Sequence, residues 1–299
     1  MKIRKLLVYL TVVLLLISSC RKDEPVEQTQ SVPTEEETAA LVDTALSIYE
    51  ETKIEERPVV SVIGDDSELY SLQFVYLEEE QGYCVESAPY YLGTLNIPSS
   101  VNGIPVVAIA DYAFIANKSI TALGPLPDTI RIIGKKAFAE CTNLEGNLVL
   151  PSSVEEIGDY AFSETSLSGD LFLPDSLRTI GEGVFKMSDF DGDLVLGTNV
   201  ESIGDYAFAY TSLKGDLAVP SNVKRIGDAA FRNTCFTSLM LTDGLETIGE
   251  YAFAYCTALE GDIYIPASVS SIDSTAFEGC RGIDGSYLIT PQGFYKISV

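Results

Sequence analysis

The chain repeats one phrase about every 23 residues, and this repetition limits its possible folds more than any other feature. Between Ile203 and Leu217 the phrase reads IGDYAFAYTSLKGDL, and close copies occur on both sides. Aligned on their phenylalanine, successive copies lie 24, 24, 23, 23, 23, 22 and 24 residues apart. A period of this length is typical of solenoids, in which each repeat forms one coil. The aligned residues are Phe114, Phe138, Phe162, Phe185, Phe208, Phe231, Phe253 and Phe277.

The apolar positions around each phenylalanine explain why the coils would stack. Isoleucine occurs five residues before it in all eight copies, and alanine precedes it directly in all copies except the one with Val184. Leu194 and Leu196 flank Val195, which is the alternation of a strand with one buried side. One coil alone cannot bury these side chains, so the pattern predicts rungs stacked about 4.7–4.9 Å apart. We expect the eight phenylalanines to form the repeat core.

The segment between isoleucine and phenylalanine predicts a tight turn. Gly204 gives the backbone freedom to bend, and Asp205 is predicted to cap the N–H groups of the turn that follows it. Residues 206–208 are predicted to form a short helical or 3-10 segment.

The repeat pattern L-x-L-P-x-x-V-x-x-I-G-x-x-A-F-x-x-C/T-x-x-L is similar to the leucine-rich repeats of the BspA-like family of bacterial surface proteins, over about residues 83–283. VNGIPVVAIADYAF, residues 101–114, resembles that family's first repeat. The resemblance implies a right-handed leucine-rich-repeat solenoid on the cell surface that binds other macromolecules, without catalytic residues. Four positions depart from the pattern: Ala110 and Asp273 replace the turn glycine, and Gly197 and Thr242 replace the proline that ends the strand.

The predicted fold is therefore a repeat solenoid of about eight rungs of 22–24 residues, mainly short parallel strands joined by turns. The predicted divisions are a leader over residues 1–19, a polar tether with a possible short helix over 20–57 and a β-rich N-terminal cap with the first rung over 58–97. They continue with the leucine-rich repeat solenoid over 98–285 and a C-terminal cap over 286–299. A cap is expected because the first rung would otherwise expose its apolar interior.

The leader is a targeting segment. A basic start, MKIRK, precedes the apolar run LLVYLTVVLLLIS and then Ile17-Ser18-Ser19-Cys20. This arrangement resembles the bacterial lipoprotein signal, which implies cleavage before Cys20 and acylation of that cysteine; the alternative is an ordinary secretory signal with an incidental cysteine. Residues 21–24, RKDE, resemble the signal that sends some Gram-negative lipoproteins to the outer face of the outer membrane, or are simply the polar start of a tether. The predicted location is the bacterial outer membrane, with the protein exposed at the cell surface.

Composition narrows the classes of partner and of chemistry. The formal charge is −25, which disfavours nucleic acid because phosphates need lysine and arginine. It also disfavours electrostatic adhesion to anionic lipid, so a protein or glycan partner is expected. The chain has no histidine, so a cysteine–histidine nucleophile is impossible. No cofactor is expected.

Two groups of polar residues each allow two interpretations. Cys141, Cys256 and Cys280 share a slot that holds small residues in other repeats, which predicts buried thiols; a Cys256–Cys280 bridge between rungs is the alternative. Cys84 and Cys235 lie outside this slot. Aspartates that begin strands would bind backbone N–H groups at turns or, alternatively, hold calcium between rungs. They are Asp170, Asp193, Asp216 and Asp262.

The middle residue of each predicted strand should point outward. These residues form a largely apolar series, and an exposed apolar stripe often marks a binding surface. The candidate binding face consists of Val149, Phe172, Val195, Ala218, Met240 and Tyr264. Aromatic residues around the phenylalanine turn would suit protein or sugar ligands; they are Tyr160, Tyr206, Tyr210, Tyr251 and Tyr255. The alternative is that these residues only favour strand formation or are covered by the N-terminal segment.

The predicted function is that of a non-enzymatic, lipid-anchored surface protein that binds a macromolecule through a solenoid face, for adhesion or recognition. The alternative is a structural subunit or spacer of an outer-membrane complex without a soluble ligand. An enzyme is disfavoured because no pair of the 44 acidic residues stands out as a glycosidase pair.

Overall fold

A computed structural model describes the backbone of residues 59–63, 71–88, 91–281, 287–290 and 293–296, and the side chains of residues 72–88 and 91–281. The predicted leader, the tether with its possible helix, and Cys20 lie outside the described residues. Everything described belongs to one compact unit, Arg57–Val299.

The described chain is built from short strands joined by turns. The N-terminal strands are β1 Val59–Ile63, β2 Ser71–Leu77, β3 Gly82–Ser87, β4 Gly93–Leu95, β5 Ser100–Val101 and β6 Ile104–Ile109. The repeat strands are β7 Ile120–Leu123, β8 Ile132–Ile133, β9 Glu145–Gly146, β10 Glu156–Ile157, β11 Ser166–Leu167, β12 Leu171–Phe172, β13 Thr179–Ile180, β14 Leu194–Val195, β15 Ser202–Ile203, β16 Lys214–Ala218, β17 Arg225–Ile226, β18 Cys235–Met240, β19 Thr247–Ile248 and β20 Ser271–Ile272. The last two strands are β21 Tyr287–Thr290 and β22 Gly293–Lys296.

Strands of successive rungs pair in parallel in several sets, one of them formed by β4, β7, β9 and β11. Other sets carry the repeat isoleucines or the repeat leucines. On the isoleucine side, β6, β8 and β10 pair in parallel, and so do β13, β15, β17, β19 and β20. The paired residues are equivalent, so that Ile203 lies beside Ile226, and Ile226 beside Ile248. On the leucine side β12 pairs with β14 and β16 with β18, again in parallel. The predicted repeat solenoid of parallel strands is thereby confirmed.

The N-terminal strands extend the sheet of the isoleucine side at one end. β1, β2 and β3 form an antiparallel meander, and β3 then pairs in parallel with β6 of the first repeat. Phe74 and Val85 are fully buried, so the meander covers apolar side chains that the first rung would otherwise expose to water. At the other end of the described chain, β21 and β22 form an antiparallel hairpin.

The eight repeat phenylalanines form a single column through the core. Each is at most 2% exposed. Neighbouring rings are stacked with centroids 5.0–5.8 Å apart and planes within 18° of parallel. Phe190 and Phe236 pack edge-on against Phe185 and Phe231. Each rung therefore buries a phenylalanine against the equivalent side chain of its neighbours.

The turn around the phenylalanine is not the predicted helical or 3-10 segment. Tyr206 and Tyr210, two residues before and after Phe208, have φ of 57° and 62°, which is left-handed backbone, so an α- or 3-10 helix cannot continue through either residue. The N–H groups of Tyr206, Phe208 and Tyr210 instead donate to carbonyls of the next rung, each at 2.8 Å. The prediction of a helical turn was wrong because these donors bond between rungs.

The turn aspartate also acts between rungs, which corrects the prediction that it caps its own turn. The Asp205 carboxylate accepts a hydrogen bond from the Asp228 N–H of the next rung at 2.9 Å, and Asp228 accepts one from the Glu250 N–H at 2.9 Å. Asp111 and Asp159 make the same bond with Lys135 and Glu182, at 2.7 and 3.0 Å. These carboxylates therefore help to fix the register between neighbouring rungs.

The small-residue slot three positions after the phenylalanine is buried and hydrogen-bonded. The hydroxyl of Thr211 donates to the Phe208 carbonyl of its own rung at 2.9 Å. The thiol of Cys256 donates to Phe231 and that of Cys280 to Phe253, both in the preceding rung at 3.1 Å. These two cysteines are separate thiols rather than a bridge, and Cys235 is exposed. Burial raises the pKa of Cys141, in the same slot, to about 11, which keeps its thiol protonated.

Candidate binding surface

An exposed row of apolar side chains runs across six rungs on the leucine side. Successive side chains of an extended chain point to opposite faces, and the apolar neighbours of the row pack in or against the core while the row residues face solvent. Val149 is 71% exposed, Phe172 57%, Val195 48%, Met240 64% and Tyr264 56%; Ala218 is also exposed. We call these six residues the apolar ladder.

Strand pairing places members of the apolar ladder side by side. Phe172 pairs with Val195 in the register of β12 and β14, and Ala218 pairs with Met240 in the register of β16 and β18. The buried neighbours follow the same register, with Leu171 beside Leu194. The ladder residues of these two strand pairs therefore lie directly beside one another, whereas Val149 and Tyr264 lie outside the named strands.

Acidic side chains border the apolar ladder. Asp170, Asp193, Asp216 and Asp262 each lie two residues before a ladder residue and are exposed. In an extended chain this spacing places two side chains on the same face. Asp170 accepts a hydrogen bond from the Asp193 N–H at 2.8 Å, and Asp216 accepts one from the Ser238 hydroxyl at 2.6 Å. The backbone N–H bond expected at such turns therefore occurs at Asp170, where the donor belongs to the next rung.

Opposite charges are paired elsewhere on the molecule. The ion pairs between described repeat residues are Lys135–Asp159, Arg178–Glu201, Lys224–Glu246 and Arg225–Asp205, at 3.6, 2.9, 3.9 and 2.7 Å. Every one of these residues belongs to the segment that forms the isoleucine side or its following turn. In the part of the chain that the structure describes, no ion pair includes Asp170, Asp193, Asp216 or Asp262.

A tyrosine ridge lies along the phenylalanine turns. Its members are Tyr112, Tyr160, Tyr206, Tyr210, Tyr251 and Tyr255. Cations of neighbouring rungs lie over the rings of most of its members: Lys136 lies 5.5 Å from the Tyr160 centroid and Lys186 lies 5.3 Å from that of Tyr206. Such contacts stabilise a cation over an aromatic face.

Arg232 contacts three tyrosines of this ridge. Its guanidinium carbon lies 5.8, 5.3 and 5.1 Å from the ring centroids of Tyr210, Tyr251 and Tyr255. The Tyr255 hydroxyl donates to Glu278 at 2.9 Å, and this bond raises the pKa of Tyr255. Many ring faces and hydroxyl groups of the ridge are therefore already in contact with other side chains of the protein, whereas the side chains of the apolar ladder face solvent.

Sequence reasoning missed the cations of the ridge and also Tyr112. Lys136 and Tyr160 hold the same position in neighbouring rungs, two residues before the phenylalanine, whereas Lys186 and Arg232 directly follow it. A rung-by-rung alignment of both positions with the tyrosines of neighbouring rungs would have found the pairings. Tyr112 occupies in the first rung the position that Tyr160 and Tyr206 occupy in later ones.

The described residues offer no arrangement suited to a metal. Within the described ranges, no group of three or more histidine, cysteine, aspartate or glutamate side chains is close enough to hold an ion. Among the same residues, no helix is long and apolar enough to cross a bilayer.

The repeats also match a known family. A model of the BspA type leucine rich repeat region matches in six copies, over residues 107–235 and 192–298, which together make up more than half of the chain. The chain belongs to the BspA-type leucine-rich repeat family. All six residues of the apolar ladder lie within the matched ranges of this BspA-type protein.

Solved structures show similar chains. The T. pallidum leucine rich repeat protein TpLRR is 26% identical over 71% of this chain and 87% of that chain, with a TM-score of 0.49. A leucine rich cell surface protein from Faecalibacterium prausnitzii A2-165 is 21% identical over 75% of each chain, with a TM-score of 0.45. A leucine-rich repeat protein from Bacteroides ovatus ATCC 8483 is 23% identical over 73% of this chain and 70% of that one, with a TM-score of 0.42. No curated protein matches this BspA-type chain.

Proposed function

We propose that this BspA-type protein is a lipid-anchored, non-enzymatic protein of the bacterial cell surface that binds a protein or glycan partner through the apolar ladder. The observation that carries the proposal is the exposure of an apolar side chain by each of six consecutive rungs on one face. Contiguous exposed apolar surface is typical of interaction sites. Four of the ladder residues lie on paired strands, so their backbone is already ordered before a partner binds.

The binding part of the proposal is tested by removing the apolar surface without changing charge. The variant carries Phe172→Gln, Val195→Gln and Met240→Gln, and its control carries Thr179→Gln, Ser202→Gln and Ser271→Gln on the isoleucine side. The chain from residue 20 onward is screened against arrays of purified host matrix proteins and glycans. We expect at least one ligand whose binding falls more than tenfold in the ladder variant and is unchanged in the control. Equal binding by both variants would show that the apolar ladder is not the binding surface.

The anchoring part rests on the leader and on Cys20, where an aliphatic residue and two small residues precede the cysteine. Acyl chains hold a protein at a membrane because each buried methylene contributes about 0.8 kcal/mol. We expect Cys20→Ala to abolish incorporation of labelled fatty acid and to release the protein from the membrane fraction. Cys235→Ala is the matched control and should leave both unchanged. A labelled Cys20→Ala protein would contradict lipid attachment at this residue.

A further inference from the structure

We infer that the partner of the apolar ladder is a protein that presents a basic amphipathic helix, which lies along the solenoid axis with its apolar side on the ladder. This inference rests on the proposed function because it concerns the same surface. Two observations carry it: the charge that borders the ladder and the spacing of the ladder residues.

The border of the apolar ladder is almost uniformly acidic. The six segments that lead to the ladder residues hold seven acidic residues and one basic residue, Lys214, and all eight are exposed. The acidic residues are Glu145, Asp170, Asp191, Asp193, Asp216, Glu260 and Asp262. Complementary charge directs association and rejects partners of the wrong sign, so this border favours a cationic partner and disfavours an anionic glycan.

The carboxylates of this border remain available to a partner. Asp170 and Asp216 each accept their hydrogen bond from the next rung through one carboxylate oxygen, Oδ1. Asp170, Asp193 and Asp216 occupy equivalent positions in three successive rungs, so their charges repel one another at a spacing of about 5 Å. Lysine or arginine side chains of a partner would relieve this repulsion while keeping their apolar stems on the ladder.

The spacing of the apolar ladder matches a helix better than an extended chain. Rungs of parallel strands are about 4.8 Å apart, and one helical turn rises 5.4 Å. Three turns of helix therefore drift from three rungs by about 2 Å, which flexible side chains can absorb. In an extended peptide, same-side residues are about 6.7 Å apart, so three steps drift by almost 6 Å, more than a rung. Five rung intervals span about 24 Å, which corresponds to a helix of about 16 residues.

Three synthetic 18-residue peptides separate charge from periodicity. The first places leucine at helical spacing with lysine elsewhere, the second has the same composition with leucine and lysine alternating, and the third is the first with every lysine replaced by glutamate. Binding is measured by fluorescence anisotropy with residues 20–299 carrying Cys20→Ser. We expect the helical leucine–lysine peptide to bind at least tenfold more tightly than either of the others. Binding of the alternating peptide that is equally tight would overturn the helical geometry.

Two variants locate the contact on the protein. Asp170→Asn, Asp193→Asn and Asp216→Asn together keep oxygen acceptors but remove three charges, and the charge-matched control is Glu155→Gln, Glu156→Gln and Glu250→Gln. We expect the asparagine variant and the ladder variant with three glutamines each to weaken the helical leucine–lysine peptide at least tenfold, and the control to bind like the parent protein. Added salt should weaken binding to the parent protein more than binding to the asparagine variant. An asparagine variant that binds like its control would overturn the inference.

The outcomes distinguish this inference from the proposed function. If a glycan or an acidic protein binds and depends on the ladder, while the basic helix does not bind, the inference fails and the proposed function stands. If no screened ligand depends on the ladder, the proposed function fails as well. Circular dichroism and thermal unfolding of each variant, compared with the parent protein, identify any loss of binding that comes from unfolding.

Discussion

Phe208→Ala is expected to lower the free energy of unfolding by about 3–5 kcal/mol, the range for truncating a buried phenylalanine to alanine. Phe208 is fully buried, and its ring stacks between those of Phe185 and Phe231, with centroid distances of 5.5 and 5.2 Å. The substitution leaves a cavity in the middle of the column that neither neighbouring rung can fill without losing its own strand pairing. Because whole domains are stable by only about 5–15 kcal/mol, one such cavity removes a large part of the total.

Denaturant unfolding followed by circular dichroism measures this loss. Tyr264→Ala is the control, since it also truncates an aromatic side chain of the repeats, but one that is 56% exposed. We expect the control to change the free energy of unfolding by less than about 1 kcal/mol. A Phe208→Ala protein as stable as the Tyr264→Ala protein would show that the phenylalanine column does not hold the rungs together.

Gly204→Ala is expected to be destabilising by about 1–3 kcal/mol, the usual cost of overpacking. A Cβ atom at Gly204 would lie 2.7 Å from both the carbonyl carbon and the oxygen of Gly181 in the preceding rung. These are backbone atoms, so they cannot swing aside as the end of a side chain can. The two rungs would have to separate, which would weaken the hydrogen bond from the Gly204 N–H to the Ile180 carbonyl, now 2.8 Å long.

The first rung supplies the matched control for this substitution. Ala110 occupies the position of the turn glycine, and the rung that follows it has Gly134, whose missing Cβ leaves room for the Ala110 carbonyl carbon. Ala110→Gly should therefore cost no more than about 1 kcal/mol, the entropic penalty of glycine. Thermal unfolding of the two variants compares them directly, and an equal loss in both would mean that contact between rungs is not the reason for the glycine.

The arrangement of the core could be predicted from the sequence because it depends only on periodicity. Ile203 and Phe208 recur at a nearly constant interval, so a stacked coil brings each onto its equivalent in the next rung without any further information. The outward direction of Val195 followed in the same way from strand alternation. These predictions needed only the identity and spacing of residues, and the sequence contains both.

The turn could not be predicted because its conformation depends on hydrogen bonds to another rung. Tyr206 and Tyr210 adopt positive φ, although tyrosine has no intrinsic preference for that conformation. The hydrogen bonds from their N–H groups to the next rung compensate the energetic cost of positive φ. The residues next to each tyrosine in the sequence do not indicate that these bonds will form. The same applies to Asp205, whose position suggests a helix cap until the following rung is present to offer a better donor.

The unequal repeat lengths have a similar explanation. The shortest interval, 22 residues, separates Phe231 from Phe253, yet these rings stack at 5.2 Å like the others. The strand pair β16–β18 takes up irregularity through a shift in register between Gly215 and Asp216. In this strand pair, irregularity is therefore absorbed within the first residues of the strands, before Leu217 and Leu239 pair.

Equivalent residues of successive rungs are stacked, and this stacking affects how the gene can gain or lose repeats. An in-frame duplication or loss of one repeat would join a rung to a neighbour that presents the same contacts, so the interior would need no compensating mutations. The exposed strip would grow or shrink by one residue in the same event. Recombination within the gene would thus adjust the length of the contact surface in single steps while leaving its width and chemistry unchanged.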